Sequence, residues 1–69
     1  MRFKTLVLNK GTKFQEFYGY MAEYGWVTSQ APIHTMSEDV TWGEVKNQFP
    51  NKDFDGIDLV TIEIKIIEE

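Results

Sequence analysis

The clearest alternation of hydrophobic and polar residues lies at the carboxyl-terminal end of the chain. Residues 58–69 read DLVTIEIKIIEE, in which an aliphatic residue recurs at every second position without a glycine or proline. A period of two places successive side chains on opposite faces of a strand. We therefore predict a strand at the centre of a sheet, with its aliphatic face in the core. The aliphatic positions are Val60, Ile62, Ile64 and Ile66.

Three shorter segments also have the composition of strands. Residues 2–8, RFKTLVL, carry apolar side chains on both faces, as expected of a strand inside a sheet. Residues 26–30, WVTSQ, predict a second strand, and Ile33–Met36 predict a short third one. Pro32 lies between them, which confines this region to an edge or a turn.

A first helix is predicted from Thr12 to Tyr24. Thr12 and Gln15 have the spacing of a capping box, and Gly25 is placed to end the helix in a left-handed conformation. Gly19 is costly inside a helix, and we expect it to permit close approach of another backbone. The buried stripe at helical spacing would consist of Phe14, Phe17, Tyr18 and Met21, with Tyr20 and Tyr24 on its flank.

A second helix is marked by a second capping box. Thr41 and Glu44 have the required spacing, and Val40 and Val45 can pack together around the helix start. Pro50 ends the helix. A turn-rich loop, NKDFDGID, then leads into the terminal strand.

The predicted order, β-α-β-β-α-β, is similar to the ferredoxin-like split βαβ arrangement. That resemblance implies a small two-layer α+β sandwich in which both helices cover one sheet face and the other face stays open. We expect residues 1–69 to form a single domain of this kind. If the second and third strands fail to form, the alternative is a three-stranded β-α-β-α-β sheet.

Composition and charge narrow the functional classes. The chain has 69 residues, no cysteine and a net charge of −4, and nine of its eleven acids follow residue 30. An acidic balance disfavours direct nucleic-acid binding, and no segment is apolar enough for a membrane span. The absence of cysteine favours a reducing compartment, and we expect a cytoplasmic protein.

One loop resembles the beginning of an EF-hand calcium loop. Asn51, Asp53, Asp55 and Gly56 fit its first six positions. The twelfth position, which should be a glutamate, is Ile62, and a strand follows where the motif has a helix. We therefore interpret the segment as a turn whose Asp, Asn and Gly residues favour tight backbone bends, and we expect no metal.

The residue types needed for catalysis are sparse. His34 is the sole histidine, and neither serine lies in a nucleophile signature. Glycines that could cradle a phosphate are scattered along the chain. We expect no catalytic residues, no cofactor and no enzymatic activity.

Aromatic and acidic residues instead indicate a protein-binding domain. Trp and Tyr dominate interface hot spots, and Tyr20, Tyr24 and Trp26 are the aromatics that the predicted core explains least. Small acidic proteins of this type are frequent among phage and mobile-element products that inhibit host factors, some by DNA mimicry. We expect binding to a basic surface of a larger protein. The alternative is a homodimeric structural or regulatory subunit that associates through its sheet. The predicted partner-binding residues are Tyr20, Tyr24, Glu38, Asp39, Glu44, Asp53, Asp55 and Asp58.

Overall fold

The fold is organised around its first strand. The computed structural model describes residues 1–65 and contains one antiparallel sheet and one short helix. The sheet runs β3-β2-β1-β5, with β4 also paired to β1. In chain order the elements are β1 (Arg2–Leu8), β2 (Glu16–Met21), β3 (Gly25–Ser29), β4 (Met36–Ser37), α1 (Trp42–Gln48) and β5 (Ile57–Glu63).

One edge of β1 is paired along its whole length with β5. The pairing runs from Arg2 opposite Glu63 to Leu8 opposite Ile57. The predicted terminal strand is thus confirmed as far as Glu63, but its central position is wrong. The face predicted to lie in the core is also wrong, because Ile57 and Leu59 pack against the helical layer and Val60 and Ile62 lie on the opposite face. Within residues 1–65, β5 pairs with β1 alone and therefore forms an edge of the sheet. Ile66, the last predicted aliphatic position, lies outside the described residues.

The other edge of β1 is shared by two strands. Leu6, Val7 and Leu8 pair with β2, whereas Phe3 and Lys4 pair with β4. The other edge of β2 pairs with β3 from Phe17 to Met21. Beyond Tyr18, β2 no longer pairs with β1, and β4 takes the place beside Phe3 and Lys4. The predicted strand at residues 26–30 is confirmed as β3, and the short third strand is reduced to the two residues of β4.

The first predicted helix is wrong, because the segment forms a β-hairpin. Its apolar residues fit a helical spacing, but the segment is rich in aromatics, which favour strands, and Gly19 disfavours a helix. Pairing with β1 and β3 supplies the backbone hydrogen bonds that a helix would have made internally. As a result, Phe14 lies in a turn with 65% of its surface exposed instead of in a buried stripe.

The predicted capping residues of that helix form local turns. The Thr12 hydroxyl accepts from the Phe14 N–H and donates to the Asn9 carbonyl, and the Gln15 side chain accepts from the Gly11 N–H. Gly25 has the predicted positive φ of 72°, but it stands at the hairpin turn instead of at a helix end. A turn followed by a left-handed residue is a common connection between paired strands.

The second predicted helix is confirmed as α1. The Thr41 side chain accepts from the Glu44 N–H at 3.3 Å, and the helix ends before Pro50. Val45 is fully buried and packs with Leu6 and Ile57, so α1 covers the sheet face on which Leu6 and Leu8 lie. The other residues packed against this core are Leu8, Tyr18, Trp26, Met36, Val40, Trp42, Phe54 and Leu59.

A segment without regular structure covers part of the opposite sheet face. Residues 30–35, which we call the strap, lead from β3 to β4. The hydroxyl of the fully buried Thr5 donates to the His34 carbonyl of the strap at 2.6 Å. A Cβ at Gly19 would lie 2.7 Å from His34 Cβ and 2.8 Å from Ile33 Cγ1. The expected close approach at Gly19 is therefore confirmed, although it occurs in a strand.

The fold is thus a small α+β structure with an open antiparallel sheet. The ferredoxin-like order is not confirmed, because the described order is β-β-β-β-α-β and has one short helix instead of two. The three-stranded alternative also differs from this sheet. Within residues 1–65, no helix has the length and apolar character needed to cross a bilayer.

The close contact at Gly19 predicts that adding a single methyl group there lowers the stability of the fold. We expect Gly19→Ala to lower the free energy of unfolding by about 1–3 kcal/mol, because the strap must move to admit the methyl group. The measurement is urea unfolding followed by tryptophan fluorescence.

Gly43→Ala is the matched control for this change. A Cβ at Gly43 has only the Thr41 hydroxyl nearby, at 3.8 Å, and alanine favours the helix by up to about 1 kcal/mol. Equal effects of the two substitutions would contradict the described contact between β2 and the strap.

Candidate protein-binding site

Trp26 lies at the centre of a cluster of aromatic side chains. Its ring is stacked on Tyr18 with centroids 5.2 Å apart and an interplanar angle of 11°. Tyr20, Phe49 and Phe54 present tilted rings to it at 5.7, 4.8 and 6.3 Å. Stacked and edge-to-face pairs at these distances are favourable beyond the area they bury. Trp26 therefore joins the hairpin to the segment that follows α1.

The register of the hairpin explains how the cluster forms. Tyr20 lies opposite Trp26, and Tyr18 lies two residues before Tyr20 on the same face of the sheet. This is the face that α1 covers, because Tyr18 is also opposite the buried Leu6. Phe49 ends α1 and Phe54 belongs to the loop that leads to β5, so both reach Trp26 from the helical layer.

Lys52 is the cation of this cluster. Its ammonium lies 4.5 Å from the centroid of Tyr18 and 5.1 Å from that of Trp26, and it donates a hydrogen bond to the Tyr18 hydroxyl. A second lysine, Lys46, lies 5.6 Å from the centroid of Trp42. Cation–π contacts of this kind add attraction that grows as water is excluded.

Two shallow clefts lie on either side of the segment from Phe49 to Lys52. The first has a volume of about 640 Å³, and the second has a volume of about 460 Å³. Two lysines, two aspartates and two phenylalanines line the first cleft, whereas three aromatic rings and one lysine line the second. The first is lined by Lys46, Phe49, Pro50, Lys52, Asp53, Phe54 and Asp55. The second is lined by Tyr20, Trp26, Gln48, Phe49, Pro50, Asn51 and Lys52.

The two predicted tyrosines differ in their surroundings. Tyr20 is 46% exposed, and its ring packs against Trp26 and Phe49 at the rim of the second cleft. Tyr24 is 70% exposed and lies in the turn between β2 and β3. The expectation that both lie on one flank of a helix is therefore wrong. Tyr20 alone joins the aromatic cluster.

The six predicted acids are all exposed, but they do not form one group. Glu38 and Asp39 follow β4, which pairs with the beginning of β1. Asp53 and Asp55 precede β5, whose first residue pairs with the end of β1. These two groups are separated by about 17 Å along β1. Glu44 lies in the first turn of α1, and Asp58 lies on the sheet face opposite the helix.

Most of the negative charge of these six acids is not neutralised by ion pairs among residues 1–65. Within the described part of the chain, the recorded salt bridge joins Arg2 and Glu38 at 4.0 Å between two exposed side chains. Such a pair contributes little to stability. Among residues 1–65, Asp53 and Asp55 form no ion pair, although Lys46 and Lys52 line the same cleft.

The loop that resembles an EF-hand is stabilised by its own hydrogen bonds. The Asp53 carboxylate accepts from the Asp55 N–H at 3.0 Å, and Gly56 adopts a φ of 77°. These features are those of a turn, as predicted. Among residues 1–65 no three acidic, histidine or cysteine side chains are grouped so that they could hold a metal ion.

The arrangement combines aromatic surface, two clefts and charged side chains. His34, the sole histidine, lies in the strap on the far side of the sheet, where its backbone is packed against Gly19. The half-exposed ring of Tyr20 and the carboxylates of Asp53 and Asp55 border neighbouring clefts that share Phe49 and Pro50.

Comparison with protein-family models, with curated proteins and with solved structures found no match to this chain. Its function is therefore inferred from the geometry of the chain itself.

Sequence reasoning missed Lys52 and Phe49 as parts of the candidate site. Lys52 contacts Tyr18 and Trp26, which are more than twenty-five residues away, so no local pattern marks it. The presence of Phe54 inside the turn-rich loop was a usable signal. An aromatic residue in such a loop is explained here by packing against Trp26 and Trp42.

The cluster predicts different outcomes for two phenylalanines. We expect Phe49→Ala to lower the free energy of unfolding by about 2–4 kcal/mol, because it removes ring contacts to both Trp26 and Tyr20. Phe14→Ala, at an exposed turn position, should change it by less than about 0.5 kcal/mol. Thermal unfolding of both variants tests this difference, and a larger effect at Phe14 would support the helical stripe instead.

Proposed function

We propose that the chain is a non-catalytic, acidic protein-binding domain that occupies a basic surface of a larger protein. The observation that carries this proposal is the half-exposed Tyr20 ring, held against Trp26 beside clefts whose rim includes Asp53 and Asp55. A cytoplasmic location, favoured by the absence of cysteine, belongs to the same proposal.

The rigidity of Tyr20 supports a role as an anchor. A tyrosine that is already packed on Trp26 and Phe49 loses little side-chain freedom when its remaining surface is buried by a partner. Hot spots of protein interfaces are enriched in such side chains. Tyr24 is more exposed and, within residues 1–65, packs against no other aromatic ring, so we assign it a lesser role at the margin.

Charge supports a basic partner. The chain carries a net charge of −4. Asp53 and Asp55 line the first cleft without an ion pair among residues 1–65, and Lys46 and Lys52 line it with them. Complementary charge accelerates association and excludes partners of the wrong sign. The same balance makes direct binding to nucleic acid unfavourable.

Inhibition of a host factor by a phage or mobile-element protein is a finer version of this proposal. DNA mimicry would require rows of carboxylates at the spacing of phosphates. The acids instead occupy separate places, with Glu38 and Asp39 at one end of β1 and Asp53 and Asp55 at the other. We therefore favour the version in which Asp53 and Asp55 of the first cleft act together with Tyr20 of the neighbouring second cleft.

A pair of double variants tests the proposed surface. Once a partner has been captured and purified, titration calorimetry should show that Asp53→Lys with Asp55→Lys weakens binding by about tenfold or more. Wild-type affinity should also fall as the salt concentration rises, because salt screens exposed charges.

Glu38→Lys with Asp39→Lys is the matched control. It introduces the same change of net charge at the opposite end of β1 and should weaken binding less. Equal losses would mean that net charge alone matters and would contradict a site beside Tyr20. No loss in either double variant would contradict an acidic docking surface altogether.

A second candidate function is a homodimeric structural or regulatory subunit that associates through its sheet. The face opposite α1 carries several half-buried apolar side chains that the strap leaves partly exposed. Exposed apolar surface of this kind can drive association. On the basis of the register, these side chains are Phe3, Phe17, Val27, Val60 and Ile62.

Light scattering separates the two candidates. A sheet-mediated dimer should be present at high micromolar concentration and should dissociate when Phe17→Lys places a charge on the open face. Tyr20→Lys, on the helical face, should leave that dimer intact. A wild-type monomer at high micromolar concentration would rule out the second candidate.

A further inference from the structure

Lys52 has unusual partners for a lysine in an acidic chain. The recorded ion pair within residues 1–65 is formed by Arg2 and Glu38, although Asp53 follows Lys52 directly in the sequence. The Lys52 ammonium instead lies over the rings of Tyr18 and Trp26 and donates to the Tyr18 hydroxyl. Its half-buried position keeps part of the side chain away from water.

The rings around Lys52 are arranged to attract a positive charge. The ammonium is hydrogen-bonded to the hydroxyl at the edge of Tyr18 and lies 5.1 Å from the centroid of Trp26, on which Tyr18 is stacked. The negative face of an aromatic ring attracts a cation, and tryptophan does so most strongly. Phe49 and Phe54 surround Trp26 and hold its ring in place.

We propose that Tyr18 and Trp26 form a cation-binding site that Lys52 occupies in the free protein. A basic side chain of the partner replaces Lys52 when the partner docks. Lys52 lines both clefts, so a cation that enters either cleft meets the Lys52 side chain first. The contact is thus autoinhibitory, since the partner must displace an internal ligand before it binds fully.

Charge complementarity favours a basic side chain over an apolar one. The carboxylates of Asp53 and Asp55 lie at the first cleft, where they attract an incoming lysine or arginine and can pair with the displaced Lys52. An apolar side chain would gain nothing from the ring quadrupoles that now hold the ammonium.

The identity of the competing cation as a partner's side chain rests on the proposed function. The cation site itself does not, because a small cation can test it without the partner. Choline is a suitable probe, and 3,3-dimethyl-1-butanol is its neutral counterpart of the same shape. The chemical shift of the Trp26 indole N–H in NMR spectra reports binding of either probe.

Lys52→Met removes the internal ammonium but keeps an unbranched side chain. We expect this variant to bind choline about tenfold more tightly than the wild type, with no comparable gain for the neutral counterpart. Lys46→Met is the matched control. It removes the same charge from the lysine that lies over Trp42 at the edge of the first cleft, and it should leave choline binding at Trp26 nearly unchanged.

Several outcomes would overturn the proposal. Equal choline affinity of wild type and Lys52→Met means that the site is not blocked by Lys52. An equal gain for the neutral probe means that the substitution has merely opened an apolar cavity. Lys52→Gln provides a second neutral variant, and unfolding of both would assign Lys52 a purely structural role. If choline binds as expected but the partner's affinity is unaffected by Lys52→Met, the cation site stands and its link to the proposed function fails.

Discussion

The structure depends on the need to bury β1 on both faces and to pair it on both edges. Thr5, Leu6 and Val7 are consecutive and all buried, so neither face of this strand can remain in water. The helical layer covers Leu6, and the strap covers Thr5. One edge pairs with β5 throughout, while β2 and β4 divide the other between them. Gly19 makes this division feasible because it leaves room for the strap to pass.

Local sequence signals were enough to predict the elements whose conformation is encoded within their own residues. The β-branched run predicts β5, and the Thr41 cap with Pro50 predicts α1. They failed for residues 12–24, where the aromatic spacing suits a helix and the residue types suit a strand. Hydrogen bonding to the strands on either side, β1 and β3, decided the outcome, and the spacing of apolar residues within the segment does not reveal that pairing. The edge position of β5 also could not be predicted, because it depends on how many strands precede it.

The candidate site was predicted less well than the fold. Acids in loops and unexplained aromatics singled out Tyr20, Asp53 and Asp55, which line two neighbouring clefts, and their role in binding stays a prediction. The sequence could not show that Tyr24 is apart from Tyr20, because that conclusion depends on the hairpin. It also could not reveal Lys52, whose contacts are made to rings on two other strands. Pairwise contacts of this kind leave no periodicity, and they become visible only when the register is known.

The ladder between β1 and β5 has a kinetic consequence. Leu8 and Ile57 pair across a loop of about fifty residues, and closing such a loop costs entropy before any contact is gained. The β2–β3 hairpin and α1 involve neighbours in sequence and can form within microseconds. Assembly of the native sheet therefore waits for its most distant pairing, which places this small chain among slowly folding topologies. Until that pairing forms, the apolar side chains of β1 are exposed to other unfolded copies. The risk of aggregation is therefore highest before β1 and β5 have paired.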